Sequence, residues 1–582
     1  MRSFYESDIR RRVKVLSFLL AGWGVIVAAR LVQVQVFGHA RAKAAVIKQA
    51  RDTVKIEPRR GDILDRNGEI LASSLPAPSV AIRPVENEGP AATHDKVAKL
   101  QRELGLTTAE ADNVLGRLRE GYNYTYVKKK VLEADARRVM ALKIPGVELE
   151  AGTRRHYPLG SLAAHILGGV SLTGDLRAGV EQRYNDVLRG EEGEQTSYRI
   201  PGGGSYETEI IKSPVPGRDL ILTIDTTVQY IAEKELALAV AEHKANWGAV
   251  IVMEPGTGEI LALASWPAYD VNAFPGPEEA WMNRAVQASY EPGSTFKIVT
   301  AAAARERDRV SYSEVFDCSA GSIRVGGLTI TDHERVGVLP FAKVIQKSSN
   351  VGTVLFAQRL TIPEYYATIK GFGFGARTGI DLPAEPAGTV RPPEKWNKNN
   401  SLPHVAIGYE ISVNAVQMLA AMNAFATGGI LVHPHVVKDR APLRGRTAED
   451  GDKPARAVSE RIAHELTERV FAGVVEDGTG KEGRLDGYGA AGKTGTAQKL
   501  GDQGTYTKKY TASFVGFTPL GQPRLSIIVV LDEPQEGYYG GQVCAPVFKA
   551  IARQVLRYLR VPPERPLPPQ TLTAGLKPGR TP

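Results

Sequence analysis

Residues 292–304 of the chain read Pro-Gly-Ser-Thr-Phe-Lys-Ile-Val-Thr-Ala-Ala-Ala-Ala. From Phe296 onward the run is apolar on nearly every side and rich in alanine, which is typical of a helix buried in a protein core. Ser294 stands at the start of this helix, where the positive end of the helix dipole stabilises developing negative charge. Lys297 follows one turn later on the same face. A serine hydroxyl is a weak nucleophile until a neighbouring group takes its proton, so the stretch predicts Ser294 as nucleophile and Lys297 as its base.

Two further motifs extend this site. Ser348-Ser349-Asn350 supplies another hydroxyl and a side-chain amide. Lys493-Thr494-Gly495-Thr496 supplies a cation, two hydroxyls and a glycine that lets a ligand approach the backbone closely. Motif sets of this form, in this order, mark serine acyl-transfer sites. We therefore predict catalytic roles for Ser294, Lys297, Ser348, Asn350 and Lys493, and substrate binding by Thr494, Gly495 and Thr496.

The composition is that of a folded protein. Hydrophobic residues make up 43% and charged residues 24% of the 582 residues, and this length predicts two or more domains. The formal net charge is +9, but no long Lys/Arg run with interleaved aromatic residues is present. We therefore interpret the charge as spread over solvated surfaces and expect no nucleic-acid partner. Cys318 and Cys544 could form a disulfide or be two buried thiols. No metal-ligand spacing is present, so we expect neither a metal nor another cofactor.

The N-terminus predicts a membrane anchor. A basic cluster within residues 1–14 precedes the apolar segment Val15–Phe37, whose one charged residue is Arg30. As a helix this segment would be roughly 35 Å long, enough to span a bilayer, and the basic cluster favours a cytoplasmic tail and an external body. The alternative is a cleaved signal peptide with an apolar core at Val15–Ala29 and a cleavage site near residues 40–42. We favour the anchor because the apolar pattern continues past Arg30, which is a candidate for helix–helix contact.

The rest of the chain divides by pattern. Residues 38–217 have mixed polarity and no catalytic motif, and we assign them to a separate domain ahead of a catalytic domain at 218–562. The proline-rich tail, 563–582, is expected to be disordered.

The pattern of the catalytic domain predicts both helices and antiparallel strands. Asp225 or Thr226 can begin a helix that runs to about His243, and Thr226 with Gln229 fits a capping box. Two apolar strands joined by Pro255-Gly256-Thr257-Gly258 predict a hairpin. Further elements are predicted as strands at Gly492–Ala497, Thr511–Thr518 and Leu525–Leu531 and as a closing helix at Val543–Leu559.

One motif favours a different class of protein. Residues 487–494 fit the nucleotide-binding P-loop pattern G-x-x-x-x-G-K-[ST] letter for letter. A P-loop follows a buried strand and opens a helix, whereas residues 482–486 make a poor strand and residues 495–498 a poor helix. We keep a P-loop protein as a remote alternative.

Together these motifs resemble the class B penicillin-binding proteins, which are peptidoglycan D,D-transpeptidases, and the likeness covers nearly the whole chain. The similarity extends beyond the three catalytic motifs to Arg60–Gly68, Arg155–Pro158, Gly179–Glu181, Ser513–Phe517, Tyr538–Gly541 and Ala545–Phe548. The last three are most similar to the division-septum, FtsI-type branch. The chain departs from the family at Asn414, where a threonine is common, and at Cys544, where alanine is usual.

The resemblance implies an α+β transpeptidase fold, with an antiparallel sheet flanked by helices and a buried catalytic helix. An N-terminal transmembrane helix and an elongated α+β pedestal at 38–217 would precede it. The implied enzyme lies in the cytoplasmic membrane, crosslinks stem peptides during septal wall synthesis and binds β-lactams. Implied partners are an FtsW-type glycosyltransferase and other division proteins. Alternatives are an elongation-type transpeptidase, a D,D-carboxypeptidase, a β-lactamase and a scaffold without catalytic activity.

The resemblance also implies how the site residues act. Ser294 would attack the carbonyl between the last two D-alanines of a stem peptide while Lys297 takes its proton. Ser348 would pass a proton to the leaving amine, and Asn350 would hold Lys297 and the substrate amide. Backbone N–H groups of Ser294 and Thr496 would form the oxyanion hole. Lys493 and the two threonines would bind the terminal carboxylate.

Overall fold

The computed structural model describes residues 2–33, 52–85, 88–122, 124–199, 206–273, 278–438, 455–501 and 505–566. The end of the predicted span (34–37), the alternative cleavage site (40–42) and most of the proline-rich tail (567–582) lie outside these residues. The described residues form two compact units, one from residues 1–59 and 189–217 and the other from residues 60–188 and 218–582. The domain boundaries proposed from the sequence stay predictions.

The first unit contains the N-terminal helix, Arg2–Val32, and a three-stranded antiparallel sheet. Within the helix, the segment Arg11–Val32 is long and apolar enough to cross a membrane. The Arg30 guanidinium donates a hydrogen bond to Gln33 Oε1 at 2.8 Å, three residues further along the chain. The sheet consists of Asp52–Ile56, Gly193–Arg199 in the centre, and Tyr206–Lys212.

In the second unit, residues 60–188 form an α+β layer ahead of the three motifs. A three-stranded sheet carries helices whose buried side chains form their own core. Thr107 begins one helix with a capping box to Glu110. The strands are Ser79–Ile82, Thr125–Lys128 and Val147–Glu150, and the helices are Pro90–Leu104, Thr108–Arg119 and Glu133–Ala141. A second, four-stranded sheet is built from Ile63–Leu64, Ile70–Pro76, Thr153–His156 and Leu220–Ile221.

A buried ion network joins three of the family-like segments in this region. Glu181 is fully buried, and its two carboxylate oxygens accept hydrogen bonds from Arg155 Nε and Arg60 Nε, each at 2.6 Å. The Tyr157 hydroxyl donates to the same carboxylate at 3.3 Å. A buried carboxylate between two guanidinium groups is stable only while all charges remain paired, so these segments are tied together by electrostatics.

Replacing Glu181 with alanine should destabilise the protein strongly. The change leaves the charges of Arg60 and Arg155 without their buried partner, and such a loss typically costs about 3 to 5 kcal/mol of unfolding free energy. Urea denaturation of the detergent-solubilised chain measures this. The control is Glu148→Ala, since Glu148 is 46% exposed and pairs with Arg83 at 3.0 Å; its loss should stay below about 1 kcal/mol. Equal losses of unfolding free energy in the two variants would contradict the stabilising role of the buried ion network.

A five-stranded antiparallel sheet, the central sheet, forms the middle of the catalytic region. Its order is Ile260–Trp266, Trp247–Met253, Leu525–Asp532, Tyr506–Thr518 and Ala491–Leu500. The last, hereafter the edge strand, carries Lys493–Thr496 and, among the described strands, pairs with Tyr506–Thr518 alone. The predicted hairpin and the three predicted strands are confirmed.

Both faces of the central sheet are buried, which explains why its strands are apolar without alternation. Along Trp247–Met253, Val250 and Val252 face one core, and Ala249 and Ile251 face the other. The first core also contains helices Thr226–His243 and Ala545–Tyr558, and the second contains Lys297–Glu306 and Ala415–Ala426. This agrees with the predicted α+β fold.

Shorter elements complete the catalytic region. The helices are Arg284–Gln287, Phe341–Gln346, Asn350–Ala357, Ile362–Gly371, Ser401–Ala406, Glu460–Leu466, Ala472–Glu476 and Gly540–Val543. Two-stranded pairings join Val315–Asp317 with Val338–Pro340, Ser322–Val325 with Leu328–Thr331, and Ile430–Leu431 with Ala455–Arg456.

Some local expectations are corrected. Asp225, not Thr226, caps the helix Thr226–His243, because its carboxylate accepts hydrogen bonds from the N–H groups of Thr227 and Val228. The Thr226 hydroxyl donates instead to Asp65 at 2.8 Å.

The two cysteines and the unusual Asn414 also have local explanations. Cys318 and Cys544 are both buried free thiols, which excludes the disulfide alternative. Asn414 caps the helix Ala415–Ala426 in a capping box with Gln417, a position where asparagine serves as well as threonine.

The P-loop alternative is wrong for this fold. Gly492, Lys493 and Thr494 lie within the edge strand, whereas the lysine and hydroxyl of a P-loop stand where a helix begins. The last residues of the P-loop pattern therefore form part of the edge strand and not a phosphate-binding loop.

Candidate active site

Ser294 lies in a short turn packed against the edge strand. Gly293–Phe296 form a 3₁₀ turn that leads directly into the helix Lys297–Glu306, so Ser294 stands one turn ahead of the α-helix itself. Gly293 has a φ of +53°, and a Cβ there would lie 2.9 Å from the Cβ of Ala497. The turn thus requires glycine both for its backbone conformation and for its contact with the edge strand. Ser294 keeps 9% of its surface exposed.

Lys297 is fully buried among polar partners. Its Nζ donates hydrogen bonds to Asn350 Oδ1 at 2.7 Å, to the carbonyl oxygen of Ser348 at 2.7 Å and to Ser348 Oγ at 3.3 Å. Burial lowers the pKa of Lys297 to about 7, although the nearby Asp332 carboxylate opposes the shift. A large share of the molecules therefore carries a neutral amine at neutral pH, as a base requires.

Lys493 approaches the same hydroxyl from the edge strand. Its Nζ donates to Ser348 Oγ at 3.0 Å and to the carbonyl oxygen of Thr494 at 3.1 Å. Burial lowers the pKa of Lys493 well below its usual value, and the charge of Lys297 lowers it further. Because Ser348 Oγ accepts from both lysines, its own O–H remains available to donate into the cleft.

Asp332 organises the second motif, and the sequence reasoning missed it. Its carboxylate accepts hydrogen bonds from Ser349 Oγ at 2.7 Å, from Val351 N at 3.0 Å and from Asn350 N. Asn350 Nδ2 donates to the carbonyl oxygen of Thr331 at 2.8 Å, which fixes its Oδ1 toward Lys297. A single aspartate in a loop between strands carries no sequence signal, so only the tertiary structure reveals this role.

The edge strand presents its open side to the Ser294 turn. A Cβ on Gly495 would lie 2.4 Å from Ser513 Oγ and 2.9 Å from Thr295 Cγ2, so no larger residue fits there. Gln498 N donates to the Tyr409 hydroxyl at 3.3 Å, which shows that its N–H points away from the neighbouring strand. Because orientation alternates along a strand, the N–H groups of Thr494 and Thr496 point to the same open side.

The threonine hydroxyls on this strand are engaged but retain donor capacity. Thr496 Oγ1 accepts a hydrogen bond from Gly540 N at 3.0 Å, which leaves its O–H free to donate. Thr494 Oγ1 and Thr479 Oγ1 lie 2.7 Å apart and share one hydrogen bond.

The serine and threonine side chains line a single cleft of about 490 Å³. The two lysines are buried and contact it through the hydroxyl of Ser348. Ser294, Ser348, Thr494 and Thr496 all contribute to its lining, so the structure brings the three predicted motifs together. His333, which the sequence reasoning also missed, lies at the rim with its ring 5.4 Å from that of Tyr539. Burial and the lysine charges lower the pKa of His333.

The arrangement is suited to acyl transfer. It combines the hydroxyl of Ser294, which lines the cleft, with a buried amine whose pKa is about 7. The Ser348 hydroxyl bridges the two lysines, and the open side of the edge strand can pair with a peptide. Among the described residues, no group of three or more His, Cys, Asp or Glu side chains is placed to hold a metal ion.

Comparison with known proteins identifies two family domains that together cover most of the chain. Residues 248–553 match the family model of the penicillin binding protein transpeptidase domain, and residues 55–222 match that of the penicillin-binding protein dimerisation domain. The chain is 33% identical to stage V sporulation protein D of Bacillus subtilis, over 96% of this chain and 88% of that protein. It is 31% identical to peptidoglycan D,D-transpeptidase FtsI of Escherichia coli, over 88% of this chain and 85% of that protein.

Solved structures agree with this likeness. A peptidoglycan synthetase from Bifidobacterium adolescentis superposes with a TM-score of 0.70 at 28% identity, covering 89% of this chain and 98% of that one. Penicillin binding protein 3 from Mycobacterium tuberculosis, in complex with aztreonam, superposes with a TM-score of 0.67 at 29% identity, covering 88% and 99%.

Proposed function

The chain belongs to the class B penicillin-binding proteins and is a peptidoglycan D,D-transpeptidase, and we propose that it crosslinks stem peptides at the division septum through an acyl-enzyme on Ser294. The observation that carries the proposed mechanism is the position of Ser348. Its hydroxyl accepts hydrogen bonds from both buried lysines and lies in the same cleft as Ser294.

In the proposed first step, the Ser294 hydroxyl attacks the carbonyl carbon between the two terminal D-alanines. Lys297 in its neutral form accepts the hydroxyl proton, and Ser348, which is hydrogen-bonded to Lys297, relays that proton to the departing D-alanine amine as the peptide C–N bond breaks. Backbone N–H groups of Ser294 and Thr496 stabilise the oxyanion, a type of contact whose loss typically slows a reaction about 100- to 1,000-fold.

The edge strand is proposed to bind the substrate by strand pairing. Its outward N–H groups at Thr494 and Thr496 can bond an extended peptide. The terminal carboxylate then lies near Lys493, Thr494 and Thr496, whose donors suit an anion. β-Lactams would enter the same cleft and acylate the same serine.

In the proposed second step, the amine of a neighbouring stem peptide attacks the acyl carbon. The ester bond to Ser294 Oγ breaks as the new amide forms, and the proton lost by the amine returns to Ser294. Water in place of the amine would make the protein a D,D-carboxypeptidase. One experiment distinguishes the transpeptidase from the D,D-carboxypeptidase activity. The protein is incubated with lipid-linked peptidoglycan precursor and a glycosyltransferase, and the muramidase digest of the product is analysed by chromatography. Crosslinked dimers support the proposal, and shortened monomers alone would reject it.

The chain is a membrane-anchored protein, and we propose a single pass with residues 1–14 in the cytoplasm and the catalytic region outside. Residues 38–217 are proposed as the pedestal that docks an FtsW-type glycosyltransferase and other division proteins, ahead of a catalytic domain at 218–562. The septal role is supported by the likeness to FtsI. A fluorescent fusion expressed at native level should gather at mid-cell in dividing cells, and an even distribution along the side wall would favour an elongation role.

A further inference from the structure

The attacking amine must lose two protons in the second step of the reaction. This inference rests on the proposed function, in which an amine resolves the acyl-enzyme on Ser294. A side-chain amine has a pKa of about 10.4, so at pH 7 roughly one amine in 2,500 is neutral and able to attack. The ammonium therefore loses one proton before it attacks, and the amine loses another as the amide forms.

Lys297 can carry only one of these two protons. It is neutral again after the first step, because the proton it took from Ser294 has left with the D-alanine amine. In the second step it can pass one proton from the amine back to Ser294. Lys493 is buried as well and contacts the cleft through the same Ser348 hydroxyl. The proton of the ammonium thus needs an acceptor that faces the cleft directly.

His333 stands at the rim of this cleft on an anchored loop. It directly follows Asp332, whose carboxylate accepts hydrogen bonds from Ser349 Oγ at 2.7 Å and from Val351 N at 3.0 Å. These bonds fix the backbone before His333 against the second motif. The His333 side chain is exposed and lines the same cleft as Ser294.

The His333 ring joins this wall of the cleft to the edge strand. It meets the Tyr539 ring edge-on, with ring centres 5.4 Å apart and planes at 87°. Tyr539 is placed by the edge strand, because the N–H of the next residue, Gly540, donates to Thr496 Oγ1 at 3.0 Å. Among the described residues, neither nitrogen of the His333 ring takes part in a hydrogen bond. An imidazole lone pair is therefore available to a proton donor that enters the cleft.

The charges around His333 favour its neutral form. Partial burial and the charges of Lys297 and Lys493 lower the pKa of His333. The carboxylates of Asp332 and Glu334 oppose this shift. A histidine whose pKa lies below the ordinary value of about 6.5 is largely neutral at pH 7 and can accept a proton. The other charged groups that line the cleft are Lys347, Asp477, Lys481 and Glu482.

We propose that His333 is a further catalytic residue, which removes the proton from the ammonium of the attacking stem peptide. A ring nitrogen of His333 takes the proton as the N–H bond breaks, and a neutral amine is left beside the acyl carbon. The amine attacks, its second proton passes through Lys297 to Ser294, and the imidazolium releases its proton to water. Ammonium and ester thus give amide, serine and one proton, so atoms and charge balance.

The test measures how the acyl-enzyme divides between an amine and water. The donor is the thioester N-benzoyl-D-alanyl-thioglycolate, whose thiolate leaves without needing a proton. One attacking peptide is Nα-acetyl-lysyl-D-alanine, and the other is its aminooxy isostere, in which oxygen replaces the methylene next to the amine. The aminooxy group is unprotonated at neutral pH, so no base has to prepare it. Chromatography of the products made by the full-length protein gives the ratio of aminolysis to hydrolysis.

His333→Gln should lower this ratio about 100-fold for the lysine peptide at pH 7, a contribution typical of a general base. The ratio for the aminooxy peptide should stay at the wild-type value. Between pH 7 and pH 9 the neutral fraction of the lysine amine rises about 100-fold, so most of the deficit of the variant should disappear at pH 9. His94→Gln makes the same change on an exposed helix position and should behave as wild type with both peptides.

The outcomes separate this inference from the proposed function. Both products come from the same acyl-enzyme, so their ratio does not depend on how fast a variant is acylated. No acylation of the wild type would reject the proposed function, and hydrolysis alone with both peptides would reject crosslinking and this role together. Where the wild type performs aminolysis, the inference fails if His333→Gln keeps the ratio for the lysine peptide. It also fails if the variant lowers both ratios equally, because the ring then only shapes the cleft.

Discussion

Ser294→Ala is expected to abolish acylation by benzylpenicillin and to reduce crosslinking to background, a loss of roughly 10⁶-fold. The substitution removes the hydroxyl that is proposed to form the acyl-enzyme, while the two lysines and Ser348 keep their hydrogen bonds. Mass spectrometry of the intact protein measures the result directly, because wild type should gain one covalent penicillin and the variant none.

The design separates chemistry from folding. Ser294 is largely buried but its removal leaves only a hydroxyl-sized space, so the variant should unfold at nearly the wild-type urea concentration. Ser313→Ala makes the same chemical change at an exposed position and should keep full acylation. A penicillin adduct on Ser294→Ala at another residue would show that the nucleophile has been misassigned.

Much of this site could be predicted from the sequence because its information is local. That Ser294 precedes Lys297 by one turn depends only on their spacing in the chain, and the buried helix follows from its alanine-rich apolar run. The strands of the central sheet were also recognisable, since each is a short apolar run bounded by turn residues. The register of these strands, and therefore the position of Lys493 on the edge strand, is visible only in the assembled sheet.

The parts that could not be predicted depend on contacts between distant segments. Asp332 lies outside the three motifs, yet it holds the backbone of the second motif in place. Asp225 and Thr226 were both candidates for the cap of the helix Thr226–His243. Only the structure shows that Asp225 caps it, while Asp65 from a remote loop binds the Thr226 hydroxyl. Burial is the main cause of the low pKa of Lys297, and the Asp332 carboxylate that opposes this shift is revealed by no spacing rule.

The pH dependence of acylation should report the protonation of Lys297. Only the neutral amine can accept the Ser294 proton, and burial holds the pKa of Lys297 near 7. Below that pH the neutral fraction falls, so the second-order rate constant for benzylpenicillin should drop about tenfold per pH unit. Above about pH 8 the rate should level off. Stopped-flow acylation measured between pH 5 and 9 provides the profile, and a flat profile would contradict a lysine base.

Lys297→Arg tests whether the amine acts as a base or only as a charge. A guanidinium stays protonated at every pH at which the protein is folded, so it keeps the positive charge but cannot take a proton. Loss of a general base typically slows a reaction about 100- to 10,000-fold, and we expect the acylation rate to fall within that range. If Lys297 acted by charge alone, the arginine variant would keep most of its rate and show no dependence on pH. Because a larger side chain strains a filled core, Lys297→Met is the companion variant. It removes the charge without adding volume, and it should fold while acylating as slowly as the arginine variant.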